Sequence, residues 1–196
     1  MNTSTGLSAG PGPAGRAPAG RRLRLGDTAA QLDQGGVLVA CWPDAGAMAA
    51  RVAALSALAS PVVRLAGGAL IGDLSLQDNL MLEPALDNGD LPAGLLPEID
   101  ALFARAGCPI DWPGWASAMP GEATALALMQ VRIGRALVAD ADVLLIDADG
   151  WDDALLTPLA ISRSFSVQYP WRVLAWATHH AARAQVLRAS LQEFLT

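Results

Sequence analysis

The chain has 196 residues, 53% apolar and 16% charged, with a net charge of −6 and arginine as all 13 of its basic side chains. So apolar a composition excludes an intrinsically disordered chain and predicts one packed domain, and the acidic balance excludes a general nucleic-acid binder, whose footprint would be basic. No apolar run reaches the ~18 residues of a membrane-spanning helix and the N-terminus has no apolar signal core, so a cytoplasmic protein is expected.

Residues 1–20, built mainly of Gly, Ala, Pro and Ser, read as a tail that cannot bury enough apolar surface to offset its ordering entropy. Residues 21–196 are then the domain. Residues 21–25 alternate Arg and Leu like an edge strand, and a turn follows from Asp27 to Gly35 and Gly36. The run 37–41 is short and continuously apolar, the pattern of a strand buried on both faces of a parallel sheet. A helix is predicted over 45–59, capped by Asp44. Pro61 and the Gly67-Gly68 pair bracket a strand at 62–66, and 72–79 reads as a loop or turn. The span 84–97 is loop-rich, with a chain turn at Asp87, Asn88, Gly89 and Asp90, and 98–106 reads as a helix. Residues 108–119 form a connector rich in Pro and Trp. The strongest helix begins near Pro120 and Gly121, has Glu122 in its first turn, and runs to about Val138. Strands at 143–146 and 172–177 and a closing helix at 180–195 complete the chain. Cys41 and Cys108 lack metal-ligand spacing and are expected to pack as thiols in a reducing compartment. Trp112, Trp115 and Trp151 fall in polar loops, where an exposed ring would mark a partner contact.

Alternating strands and helices predict an α/β fold with a mainly parallel sheet and helices on both faces. Ligands of such sheets sit beyond the carboxyl ends of the strands. Three groups of residues lie there. The first is Trp42-Pro43-Asp44-Ala45-Gly46-Ala47-Met48-Ala49-Ala50, the second Asp147-Ala148-Asp149, and the third Thr178-His179-His180. Asp147 reads either as a metal ligand or as a turn cap, and His179 and His180 either as ligands or as residues that start a helix.

Residues 131–147, Val-Arg-Ile-Gly-Arg-Ala-Leu-Val-Ala-Asp-Ala-Asp-Val-Leu-Leu-Ile-Asp, together with Ala175-Trp176-Ala177-Thr178-His179, resemble the ATP-binding subunit of ABC transporters. The similarity runs from about Arg22 onward. Residues 73–82, Asp-Leu-Ser-Leu-Gln-Asp-Asn-Leu-Met-Leu, are similar to the family segment after its glutamine loop, in the manner of lipid and organic-solvent importers. The resemblance implies a P-loop NTPase-like fold in a shortened cassette, ATP and Mg²⁺ as cofactors, and a permease or a second ATPase subunit as partner.

Carried over residue by residue, the resemblance implies a degenerate site. Asp44, Gly46, Met48, Ala49 and Ala50 stand in the phosphate loop, with Met48 in the lysine's place and a methyl group where a hydroxyl would meet Mg²⁺. A lysine charge about 4 Å from a phosphate contributes roughly 4 kcal/mol at an effective dielectric near 20, so its absence weakens binding by orders of magnitude. Trp42 adds bulk where glycine is usual. Asp147 matches the aspartate that orients Mg²⁺, and His179 the switch histidine at the γ-phosphate. Ala148 stands where a glutamate would polarise the attacking water, which a methyl group cannot do. Asp149, one residue on, is expected to point elsewhere. Neither Ala123-Thr124-Ala125-Leu126 nor the register through Gly121 and Glu122 supplies the signature Ser-Gly-Gly, and the family glutamine falls near Ala66. Three functions follow: a structural or regulatory transport subunit with weak or absent hydrolysis, a working ATPase with an atypical site, or a cytoplasmic interaction module on the same scaffold.

Overall fold

The computed structural model describes residues 22–32, 34–58, 60–86 and 94–195. The expected tail over 1–20 and the turn at Asp87 to Asp90 lie outside the described residues. Strands β1 (Arg22–Leu25) and β2 (Thr28–Gln31) form an antiparallel hairpin. The sequence reading placed a turn from Asp27 onward. A second strand forms there because Ala30 and Leu32 bury in the same apolar cluster as Leu23 and Leu25. The tight turn needs Gly26, whose φ is 56° and whose missing Cβ would lie 2.4 Å from the Cys41 carbonyl oxygen.

The main sheet contains β3 (Gly36–Cys41), β4 (Val63–Ala66), β5 (Val143–Asp147) and β6 (Val173–Thr178), all parallel, in the spatial order β3-β6-β5-β4. Cys41 pairs with Thr178, Asp147 with Ala177, and Ala66 with Ile146, so the carboxyl ends finish nearly level. Side chains alternate between two cores, as the pleat requires. Val143, Leu145, Val173, Ala175 and Ala177 enter a cluster with the hairpin and helix α1 (Ala45–Ser56), while Leu144, Ile146, Leu174 and Trp176 enter the larger cluster on the other face. That second face is covered by α2 (Leu76–Leu86), α3 (Leu95–Arg105), α4 (Trp112–Ser117), α5 (Ala125–Val138), α6 (Pro158–Gln168) and α7 (Ala181–Ser190).

Several boundaries correct the sequence reading. The expected loop over 72–79 already contains the first turn of α2, where the Ser75 hydroxyl accepts the Asp78 N–H at 3.0 Å and donates to the Asp78 carboxylate at 2.7 Å. Ser75-Leu76-Gln77-Asp78 is a capping box, a signal present in the sequence and not used. Buried Asn79 holds the preceding turn, accepting from the Ile71 N–H and donating to the carbonyls of Ile71, Leu74 and Ser75. The loop-rich span likewise gives way to helix at its two ends, in α2 and α3.

Helix α5 starts at Ala125 rather than near Pro120, because Thr124 caps it through the Ala127 N–H at 3.1 Å, and Glu122 lies outside its first turn. The connector contains α4, capped by Asp111. Helix α6 had no counterpart in the sequence reading, although Thr157-Pro158 is a cap followed by a first-position proline. The closing helix ends at Ser190, with a separate 3₁₀ turn at Gln192–Phe194.

Of the three tryptophans that would mark a partner contact if exposed, none is fully exposed, and Trp112 and Trp151 are half-buried. Trp115 is buried and meets Trp112 edge-on, Trp112 donates to Asp100, and Trp151 meets Trp176 edge-on and donates to the Leu156 carbonyl at 2.7 Å. Cys41 and Cys108 are both free thiols, and burial pushes that of Cys108 up. Among the described residues no helix is long and apolar enough to cross a membrane.

Tyr169, the single tyrosine of the chain, is buried under the Arg172 guanidinium, 5.0 Å from the ring centroid, and its hydroxyl makes no hydrogen bond among the described residues. Burial, with the charge of Glu98 adding, pushes the phenol up from 10.0 to about 12. The folded state therefore holds the proton more tightly, and the native state is fully favoured below the unfolded value and loses stability as pH rises from 10.0 toward 12. Tyr169→Phe is expected to leave stability at neutral pH unchanged or up to about 1 kcal/mol higher, because an unpartnered buried hydroxyl is removed. Urea melts at about pH 8 and pH 11 check this: the wild-type chain should lose more stability between them than the variant, and equal losses would refute it.

Candidate functional site

At the end of β3 the chain turns directly into α1. The Asp44 carboxylate accepts the Ala47 N–H at 2.7 Å, and its carbonyl accepts the Met48 N–H at 3.1 Å. A short acidic side chain in extended conformation is a favourable helix cap, since it meets an otherwise unpaired donor and the positive end of the dipole. Gly46, Ala49 and Ala50 are exposed around this first part of the helix. Met48 is half-buried and packs against the cluster of the hairpin and α1. Trp42 is buried in the same cluster, so most of the bulk expected at the mouth of the loop lies inside the protein. The Trp42 N–H reaches the Thr178 carbonyl at 3.0 Å, which joins this loop to the end of β6.

At the end of β5, Asp147 Oδ1 accepts the N–H groups of Asp149 at 3.0 Å and Gly150 at 3.4 Å. The carboxylate thus caps its own turn. Ala148 is buried, its N–H bonded to the Ala177 carbonyl at 2.8 Å. Asp149, expected to point elsewhere, turns back across the sheet because the Asp147 cap reverses the chain after the strand. Its carboxylate accepts a short hydrogen bond from the Thr178 hydroxyl and the His179 N–H at 2.9 Å, and Oδ2 lies 2.6 Å from His179 Nδ1.

That last contact has ion-pair distance but not the alignment of a hydrogen bond, leaving Nδ1 buried and without a hydrogen-bond partner among the described residues. Burial opposes the Asp149 charge, but the Thr178 hydroxyl, the His179 N–H and the two imidazoles outweigh it and hold the carboxyl below its ordinary range. The His180 N–H bonds to the Thr178 hydroxyl oxygen at 3.0 Å, and its ring lies 3.9 Å from that of His179. His180 occupies the cap position of α7, yet its side chain makes no capping bond.

Clefts border these strand ends, and two of them bear on the expected site residues. One of about 660 Å³ is lined by Arg24, Asp27, Trp42, Pro43, Arg51 and His179 among others. Asp27 anchors its rim by accepting the Cys41 N–H at 2.9 Å and pairing with Arg188 at 2.7 Å. Burial works against the Asp27 charge, and these partners more than compensate, leaving its carboxyl below the ordinary range. The second cleft, of about 330 Å³, is lined by Gly67, Gly68, Arg132, Asp147, Gly150 and Trp151 among others, with Ala66 at its edge. His179 and Asp147 therefore border different clefts, and Met48 lines neither. The sequence reading missed Arg24 and Arg51, which the hairpin and α1 bring to the loop, and misjudged Asp149.

No protein-family profile matches the sequence, and no curated protein matches it. Solved structures do. A dimeric structure of the ATP-binding cassette MJ0796 in a post-hydrolysis state, bound to ADP and Pi, superposes with a TM-score of 0.55 at 13% identity, over 84% of this chain and 87% of that one. A second dimeric structure of MJ0796, described as a bacterial ABC transporter cassette, gives 0.54 at 12%, with the same coverage. The chain has the ATP-binding-cassette fold. Within that cassette fold the parallel sheet and the gathering of the β3, β5 and β6 loops at one edge agree with the expected fold class.

Among the described residues, Asp149 bonds the β5 turn to the β6 end through several contacts at once. Asp149→Ala is expected to cost about 1–3 kcal/mol, since it leaves the Thr178 hydroxyl and the His179 N–H without their acceptor. Urea denaturation of the purified chain measures this. A stability equal to that of the wild type would mean that the Asp149 contacts do not hold the loop.

Proposed function

We propose that this protein is a cassette-fold subunit of a transport assembly whose nucleotide site is degenerate, and that it serves a structural or regulatory role beside a permease and a second ATPase domain. The observation that carries this reading is the Asp44 carboxylate seated on the α1 N-terminus, bonded to the Ala47 N–H at 2.7 Å. An anion already occupies the position where helix amides and dipole would otherwise favour a phosphate. A second negative group about 4 Å away would be repelled by roughly 4 kcal/mol at an effective dielectric near 20.

Met48 supplies no charge, and its side chain is committed to the apolar cluster. Ala148 offers no base, and the His179 ring contacts Asp149 of the same chain. These residues do not fit a Mg²⁺-bound triphosphate, so no hydrolytic step is assigned to them. Pairing with a competent cassette would let one active site drive the cycle while this subunit contributes surface and coupling. The Asp78-Asn79 pair, which suggested a lipid-type importer, is accounted for by its capping and turn-holding bonds, and the proposal names no transported substrate.

One observation favours the alternative of a working but atypical site. Arg24 and Arg51 line the same cleft as Pro43 and His179, and could supply the cationic charge that the loop lacks. Titration with Mg²⁺-ATP separates the two readings. The degenerate reading expects no saturable binding below millimolar ATP in the wild-type chain, and at least about tenfold tighter binding in Asp44→Gly combined with Met48→Lys. Micromolar binding by the wild type that is lost in Arg24→Gln or Arg51→Gln would establish the atypical site instead. Co-purification with a membrane permease tests the transport role, and its absence favours an interaction module outside transport.

A further inference from the structure

From the side chains gathered at the carboxyl ends of β5 and β6 we infer that Asp149, His179 and His180 form a binding site for a divalent transition-metal ion of the zinc class. The inference does not rest on the nucleotide-site reading above. The three residues come from two strand ends, and one ligand atom of each lies within 4.8 Å of those of the others. Zinc bound tetrahedrally at about 2.0–2.1 Å places its donors about 3.3 Å apart, so the wider donor pairs must close by up to about 1.5 Å and the His179–Asp149 pair must open by about 0.7 Å to seat an ion. His180 is exposed and free of any capping bond, so its ring can make that movement.

The contact between His179 Nδ1 and Asp149 Oδ2 supplies the second argument. Two electronegative atoms lie 2.6 Å apart without the alignment of a hydrogen bond, and the nitrogen is buried with no hydrogen-bond partner among the described residues. Their lone pairs repel unless a positive centre sits beside both. A proton does this poorly out of line, whereas a metal ion is bound off the N···O axis.

The remaining Asp149 bonds come from the Thr178 hydroxyl and the His179 N–H, donors that orient a ligating carboxylate without competing for the metal. Two imidazoles and one carboxylate favour zinc, nickel, cobalt or copper over Mg²⁺, which prefers oxygen donors and keeps its waters. Asp149 and His180 border an open cleft of about 540 Å³ that also contains Asp152, Asp153 and Arg183. Arg183 is engaged by Asp153 through two hydrogen bonds, at 2.8 and 2.6 Å, so its charge is largely neutralised there. The cleft leaves room for water or a further ligand to complete the coordination.

The test is titration of the metal-free full chain with Co²⁺ alone, without nucleotide, read by visible d–d absorption, and with Zn²⁺ by calorimetry and thermal melting. One equivalent is expected to bind, to raise the melting temperature, and to give a cobalt spectrum without thiolate charge-transfer bands. His180→Ala, an exposed change that leaves the fold intact, should weaken binding by at least about tenfold, Asp149→Asn should do the same, and Cys41→Ser should have no effect. Absence of saturable binding of one equivalent would overturn the site, as would affinity indifferent to His180→Ala or a spectrum dominated by cysteine ligation.

Discussion

Burial of β6 on both faces and along both edges is the constraint from which the rest of the architecture follows. All six of its residues are buried, and it pairs in parallel with β3 on one side and β5 on the other. A parallel strand cannot return by a tight turn, so each connection must cross a face of the sheet and cover it. The hairpin and α1 close one face and α2 to α7 the other, and the carboxyl ends of β3, β6 and β5 are thereby brought side by side. What binds at that edge depends on side chains that play almost no part in the packing beneath it.

The carboxylates among those side chains are engaged within the protein. Asp44 caps α1, Asp147 caps the turn after β5, and Asp149 crosses to Thr178 and His179. Each contact satisfies backbone donors at a strand or helix end, the places where donors lack regular partners. The same contacts place carboxylates where a phosphate-binding edge would need positive or neutral groups. A scaffold stabilised in this way keeps the cassette shape independently of what its edge binds; under the proposed readings that edge disfavours a triphosphate and the Asp149-His179-His180 group suits a cation. The arginines at the neighbouring cleft mark the one stretch of this edge where the charge balance runs the other way.

Much of the fold was legible in the sequence because its buried strands are short, continuous apolar runs. The runs at 37–41, 62–66, 143–146 and 172–177 each correspond to a strand with an end shifted by a residue or so. Helices were harder to place where the start depends on one hydroxyl. Ser75, Thr124 and Thr157 each set a helix start that apolar periodicity alone put elsewhere or overlooked. Strand β2 was hidden because Thr28–Gln31 has little apolar character of its own and is held by pairing with β1.

The sequence by itself determined the missing lysine, the methyl group of Ala148, the chain positions of the four sheet strands, and which loops follow them, because these depend only on residue identity and local periodicity. Tertiary structure decided where the side chains of those loops point. Asp149 meets His179, thirty residues away, only because β5 and β6 are neighbours and the Asp147 turn reverses the chain; the sequence holds no local signal for that contact. Likewise Trp112, Trp115 and Trp151 lie in segments that read as polar loops, and their burial, full for Trp115 and partial for the other two, follows from what the helices and strands place beside them.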